Sequence, residues 1–154
     1  MGLRVVLAAD QAGVSYKDAI KDMLHNDPRV DEVIDVGVNA DTDPTAYPPL
    51  GVAGARKIAN GEADRGIFVC GTGMGVAMAA NKVPGVRAST AHDSFSVERL
   101  VLSNNGQVLC LGQRVIGEQL ALRLASEFLG YQFDPTSASA DKVDALCSYE
   151  PPAP

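Results

Sequence analysis

A chain of 154 residues, 46% hydrophobic and 21% charged, has the composition and length of one globular domain with a substantial core. Its formal charge of −6, without a basic block or a basic amphipathic stretch, argues against nucleic acid or an anionic membrane surface as partner. No apolar run approaches the roughly 20 residues that span a bilayer, and the N-terminus runs directly into a strand-like segment, so a cytoplasmic protein is expected.

Residues 3–9 form an apolar run of strand length, and residues 15–24 after it carry a helical stripe. The pair recurs as 30–36 with 50–60, 66–70 with 75–81, 86–90 with 93–102, and 107–111 with 117–129. Several helical stretches open after Gly, Ser or Asp in the manner of N-caps. Five alternations predict an α/β domain over residues 1–133, a Rossmann-like, doubly wound five-stranded parallel sheet with helices on both faces. Runs such as Arg4-Val5-Val6-Leu7-Ala8-Ala9 and Ile67-Phe68-Val69-Cys70 suit central strands covered on both sides. From Asp134 the composition changes: residues 134–139 read as a loop, 140–147 as a short extra helix and 151–154 as a frayed tail. That helix has no place in a doubly wound domain, so residues 134–154 are expected to pack on a neighbouring subunit.

In open α/β sheets ligands bind beyond the carboxyl ends of the strands, which directs attention to Asp10-Gln11, residues 70–75, residues 91–93 and residues 112–114. The richest segment is Cys70-Gly71-Thr72-Gly73-Met74-Gly75, where three glycines let successive N–H groups converge on an oxyanion or phosphate. Its spacing resembles a dinucleotide fingerprint but follows the third strand and lacks the βαβ context, so no nicotinamide cofactor is expected. A thiol beside a glycine loop and a helix N-terminus is where a cysteine becomes a usable base; the bland alternative for Cys70 is a small buried hydrophobe. Thr72, able to pass a proton or hold a substrate oxygen, favours the chemical reading. Three cysteines without a C-x-x-C pair indicate neither a disulfide framework nor a zinc site, and Cys110 and Cys147 are expected to be structural free thiols.

Around this loop, Asp10 either accepts hydrogen bonds from sugar hydroxyls or caps the following helix, and both roles can coexist. His92 is a substrate contact or an ordinary loop residue beside a capping Asp93. Asn104 offers an amide for hydroxyl recognition, and Arg114 offers a fixed fork for phosphate or a surface salt bridge.

The segments Ala9-Asp10-Gln11-Ala12-Gly13, Gly61-Glu62-Ala63-Asp64-Arg65-Gly66, Cys70-Gly71-Thr72-Gly73-Met74-Gly75, Ala80-Asn81-Lys82-Val83-Pro84-Gly85-Val86-Arg87-Ala88 and Gly112-Gln113-Arg114-Val115-Ile116-Gly117 resemble the type B ribose-5-phosphate isomerases and the related galactose-6-phosphate isomerase subunits. The resemblance covers most of residues 3–133. It implies a Rossmann-like fold, an aldose–ketose isomerase without metal or cofactor, and homodimers or dimers of dimers whose sites draw on both chains. It also implies that Cys70 removes the proton beside the carbonyl to give a cis-enediolate. The N–H groups of Gly71, Gly73, Met74 and Gly75 would hold the enediolate oxygen, with Thr72 and Asp10 managing protons and hydroxyls.

The departures carry information too. The family's Asp-His near the first strand reads Asp10-Gln11, and its His-Asn-Asp or His-Asn-Asn reads Ser103-Asn104-Asn105. Ala138 and Lys142 stand where two phosphate-binding arginines would lie, leaving Arg114 and Lys142, assisted by Gln11, for the phosphate. Neither Ser103 nor Asn104 has a pKa suited to opening a furanose ring. A four-carbon sugar 4-phosphate needs no such step, because the hydroxyl that would close the ring is esterified. The expected substrate pair is therefore D-erythrulose 4-phosphate and D-erythrose 4-phosphate, as in a tetritol-catabolic branch of the family. The alternatives are ribose 5-phosphate isomerisation and a non-catalytic sugar-phosphate binding subunit.

Overall fold

The computed structural model describes residues 1–151; most of the tail expected to fray, residues 152–154, lies outside them. Strands and helices alternate as β1 (Leu3–Ala9), α1 (Val14–His25), β2 (Val30–Asp35), α2 (Tyr47–Ala59), β3 (Arg65–Cys70), α3 (Met74–Ala80), β4 (Ala88–Thr90), α4 (Ser94–Leu102), β5 (Val108–Gly112), α5 (Glu118–Gly130) and α6 (Ala140–Cys147). All strand pairs are parallel, in the order β2-β1-β3-β5-β4. This is the five-stranded α/β sheet that the alternation predicts.

The two-residue side-chain period of the strands feeds two cores. Val5, Leu7 and Ala9 of β1 face Ile20 and Leu24 of α1, Val97 and Val101 of α4, and Leu124 and Phe128 of α5. Val6 and Ala8, with Phe68 and Cys70 of β3 and Cys110 of β5, face Ala55 of α2 and Val76 and Ala80 of α3. Covered on both sides, β1 and β3 carry the near-continuous apolar runs, whereas the edge strand β2 has no fully buried residue and exposes Asp31 and Glu32.

Most boundaries fall within a residue of the sequence reading, and the two that depart further do so for identifiable reasons. Helix α2 begins at Tyr47 instead of Leu50, because Pro48 and Pro49 occupy the first turn, where a missing N–H costs nothing. Strand β4 has three residues, not five. The Asn81 side-chain amide bonds the Ala88 carbonyl and N–H at 2.8 Å each, closing that edge against further pairing.

The chain leaves β1 toward β2 on one side and returns across it to β3 on the other, so the strand order reverses between β1 and β3. The carboxyl ends of these neighbours, Ala9 and Cys70, are where such a sheet opens a crevice. Helix α6 stands apart: only Val143 is buried, while Leu146 and Tyr149 are exposed. Its end is tied to the amino-terminal side of β4, with Gly85 N–H donating to Glu150 Oε2 at 3.0 Å and Arg87 Nη1 to Cys147 Sγ at 3.4 Å.

Candidate active site

Cys70 ends β3 with its side chain 4% exposed, and its Sγ accepts the Gly73 N–H at 3.1 Å. The loop can turn back onto the sulfur because Gly73 takes φ +78°, a left-handed conformation costly for any other residue. Thr90 Oγ1 pins the loop by donating to the Gly73 carbonyl at 2.8 Å, and Thr72 Oγ1 accepts from Met74 N–H at 3.3 Å. A Cβ on Gly73 would stand 2.9 Å from the Leu111 carbonyl carbon and 3.0 Å from Thr90 Cγ2. Gly73→Ala is therefore expected to cost more than about 1 kcal/mol of stability and to displace the loop amides, measured by urea unfolding beside turnover.

Three further segments close around this loop. Asp10 Oδ1 accepts from Ala12 N–H at 3.0 Å, and Gly13, the residue that caps α1, packs directly on the Val69–Cys70 peptide. Asp10 thus shapes the turn ahead of α1 and does not cap the helix itself. Gln11 is exposed on the same turn. From β5, Gln113 N–H donates to the Cys70 carbonyl at 2.9 Å and Arg114 N–H to the Gly71 carbonyl at 3.0 Å. The exposed Arg114 guanidinium lies over Gly71, its Nη1 3.3 Å from where a Cβ would be. From the end of β4, His92 Nε2 accepts Gly112 N–H at 2.9 Å. Burial holds the His92 pKa below its ordinary value, against the opposing charge of Asp93. Asp93 caps α4 by accepting from Ser96 N–H at 2.7 Å.

Asp10, Gln11, residues 70–75, His92 and Arg114 therefore share one end of the sheet. Asn104 and Lys142 do not join them. Asn104 precedes β5 at the opposite end, lining a groove of about 510 Å³ with Arg87, Ser89, Leu146 and Tyr149, and Lys142 is exposed on α6. The thiol of Cys70, the glycine loop and the Arg114 guanidinium lie together at the other end of the sheet.

Tyr47, at the start of α2, also borders the loop. Its ring packs against Gly75, 2.9 Å from where a Cβ would stand, and its side chain is partly exposed beside the loop. The signal was present in Tyr47-Pro48-Pro49, a helix start whose first side chain faces the crevice.

The two other cysteines separate clearly from Cys70. Cys110 is fully enclosed, and burial, with the neighbouring Cys70, pushes its thiol pKa well above the ordinary value, so it stays protonated. Cys147 is half-buried against Arg87.

Residues 5–146 match the family model for ribose/galactose isomerases. The chain belongs to the ribose/galactose isomerase family. Within it, the chain is 57% identical over 150 residues to D-erythrulose-4-phosphate isomerase 2 of Mycolicibacterium smegmatis, covering 97% of this chain and 99% of the relative. It is 33% identical over 147 residues to ribose-5-phosphate isomerase B of Escherichia coli, covering 96% of each chain. Ribose-5-phosphate isomerase B of Clostridium thermocellum has the same fold at a TM-score of 0.89 and 34% identity, over 95% of this chain and 96% of that one. This member of the ribose/galactose isomerase family is thus an aldose–ketose isomerase. Its cysteine and glycine loop lie at the sheet's switch point, the place where open α/β sheets bind their ligands.

Proposed function

We propose that the protein interconverts D-erythrulose 4-phosphate and D-erythrose 4-phosphate, with Cys70 as the base. The observation that carries this reading is the Cys70 Sγ receiving the Gly73 N–H from a glycine loop that turns back onto it at the carboxyl end of β3. In the ketose-to-aldose direction the thiolate takes a proton from C1. The C–H electron pair becomes the C1=C2 bond of a cis-enediolate, and the former carbonyl oxygen at C2 carries the negative charge. Amides of residues 71–75 stabilise that charge, Thr72 relays a proton between the two oxygens, and Cys70 returns its proton to C2. One carbon is oxidised and its neighbour reduced, so the step needs no external electron carrier.

Asp10 would hold the sugar hydroxyls, and Arg114 the phosphate, with Gln11 assisting. Asn104, at the end of the sheet opposite the Cys70 of its own chain, and Lys142, exposed on the outlying α6, support a homodimer or dimer of dimers in which a second copy brings them to the site. The exposed Leu146 and Tyr149 of segment 134–154 give such a copy apolar surface to cover. Three free cysteines and the absence, among the described residues, of a helix long and apolar enough to cross a membrane fit work in the cytoplasm.

The tetrose reading is supported by Ser103 and Asn104, which provide no ring-opening acid, and by the name of the Mycolicibacterium relative. Ribose 5-phosphate is the competing substrate, favoured by the structural neighbours. Purified protein given each sugar phosphate separately, with the aldose–ketose ratio followed by NMR, decides between them. Turnover of the tetrose at least about tenfold faster in kcat/KM is the expected result; a preference for ribose 5-phosphate overturns the substrate assignment.

A further inference from the structure

The ring of His92 does something the sheet itself cannot. Alternate amides of β5 point toward β4: Val108 N–H reaches the Arg87 carbonyl at 3.3 Å, and β4 pairs with β5 only as far as Thr90↔Cys110. Gly112 N–H points the same way but arrives one step past the last strand residue, Thr90. There it meets the His92 Nε2 at 2.9 Å. A side chain completes the ladder where the backbone has turned away.

We infer that His92 is a positioning residue, a neutral imidazole whose unprotonated Nε2 holds the Gly112–Arg114 turn on the cysteine loop. Accepting the Gly112 N–H requires a lone pair at Nε2, so the ring proton resides on Nδ1. An Nε2–H would set two donors against each other. The turn that His92 holds is in close contact with the chemistry: a Cβ on Gly112 would stand 2.7 Å from the Thr72 carbonyl carbon and 2.8 Å from its Cα. The next two amides bond the Cys70 and Gly71 carbonyls, and Arg114 is laid over Gly71. Releasing Gly112 therefore loosens Thr72 on one side and the phosphate cation on the other. Burial that disfavours the imidazolium works in the same direction.

The sequence leaves His92 open between a substrate contact and an ordinary loop residue; in the structure its Nε2 accepts the Gly112 N–H. This inference rests on the isomerase reading for its kinetic consequences but not for its tautomer. Two measurements test it. Long-range 1H–15N NMR of the substrate-free protein is expected to show His92 with protonated Nδ1 and bare Nε2 at neutral pH; an Nε2–H tautomer or an imidazolium overturns the assignment whatever the substrate proves to be.

Kinetics supply the second. His92→Ala is expected to lower kcat/KM by about 10-fold or more, with part of the loss in KM because Arg114 is affected. His92→Gln, whose amide oxygen can take the Gly112 N–H but whose side chain does not titrate, is expected to recover all but about threefold. A Gln variant as impaired as the Ala variant would mean that the imidazole itself exchanges protons with substrate, and would overturn the positioning role.

Discussion

Replacing Cys70 with alanine is expected to lower kcat by about 10²- to 10⁴-fold, the usual contribution of a positioned general base. The fold should survive, because Cys70 sits in the α2/α3 core as a small side chain and alanine removes only its sulfur. The chemical signature is more specific than the rate. In D2O the wild-type enzyme should wash deuterium into the carbon beside the carbonyl, and the variant should not. Cys110→Ala supplies the contrast, since Cys110 is enclosed, protonated and behind the site. Retention of deuterium exchange in Cys70→Ala would assign the base elsewhere, with Asp10 the first carboxylate to examine.

The second large effect concerns stability. Lys17 of α1 is 0% exposed, and its Nζ is bonded to Asp35 at 2.7 and 2.9 Å and to Asn39 Oδ1 at 2.9 Å. Burial alone pushes the Asp35 carboxyl upward, but bonds from Lys17, Lys21 and the Gly37 N–H outweigh it and leave it below the usual carboxylate range. Lys17→Met is expected to destabilise the protein by about 3 kcal/mol, the low end for breaking a buried pair, because Lys21 and Gly37 still serve Asp35. Urea unfolding at pH 7 measures it; a loss under about 1 kcal/mol would show that the remaining partners suffice.

The pH dependence has a definite sign. A carboxyl whose pKa is depressed by folding stabilises the native state above its unfolded pKa, about 4, and that contribution disappears as pH falls through the folded pKa. The gap between wild type and Lys17→Met should therefore narrow as pH falls from about 4 through the lower folded pKa of Asp35, where the native carboxylate itself becomes neutral. The site would register the change as well. Gly37, whose N–H bonds Asp35, accepts from Ala9 N–H at 2.6 Å, immediately before Asp10.

Much of this was legible from residue order alone. The apolar runs of β1 and β3 marked central strands because covered strands need no polar face, and Cys70 through Gly75 announced a loop that only glycine could build. Helix α2 was read three residues short because Pro48 and Pro49 look like interruption and act as initiation. The position of His92 at the end of β4 is legible, but its bond to Gly112 N–H is not: which atom a ring nitrogen bonds depends on where β4 stops relative to β5, a register that no local pattern encodes. Lys17 gave no signal, since a lysine on a helix is ordinarily a solvated residue until the fold encloses it. Tyr47 and Asp10 are far apart in the chain, and the parallel pairing of β1 with β2 brings the segments that follow these strands to the same end of the sheet.

Cys70 and Arg114 stand at one end of the sheet, Asn104 at the other and Lys142 on the outlying α6. In the proposed dimer each catalytic centre is then a joint property of two polypeptides. An allele damaged at Cys70 and an allele damaged at Lys142, expressed together in one cell, can assemble a mixed pair in which both lesions fall on the same centre and the other is whole. Genetically the two would complement, and a single short reading frame would behave in a cross as though it held two genes.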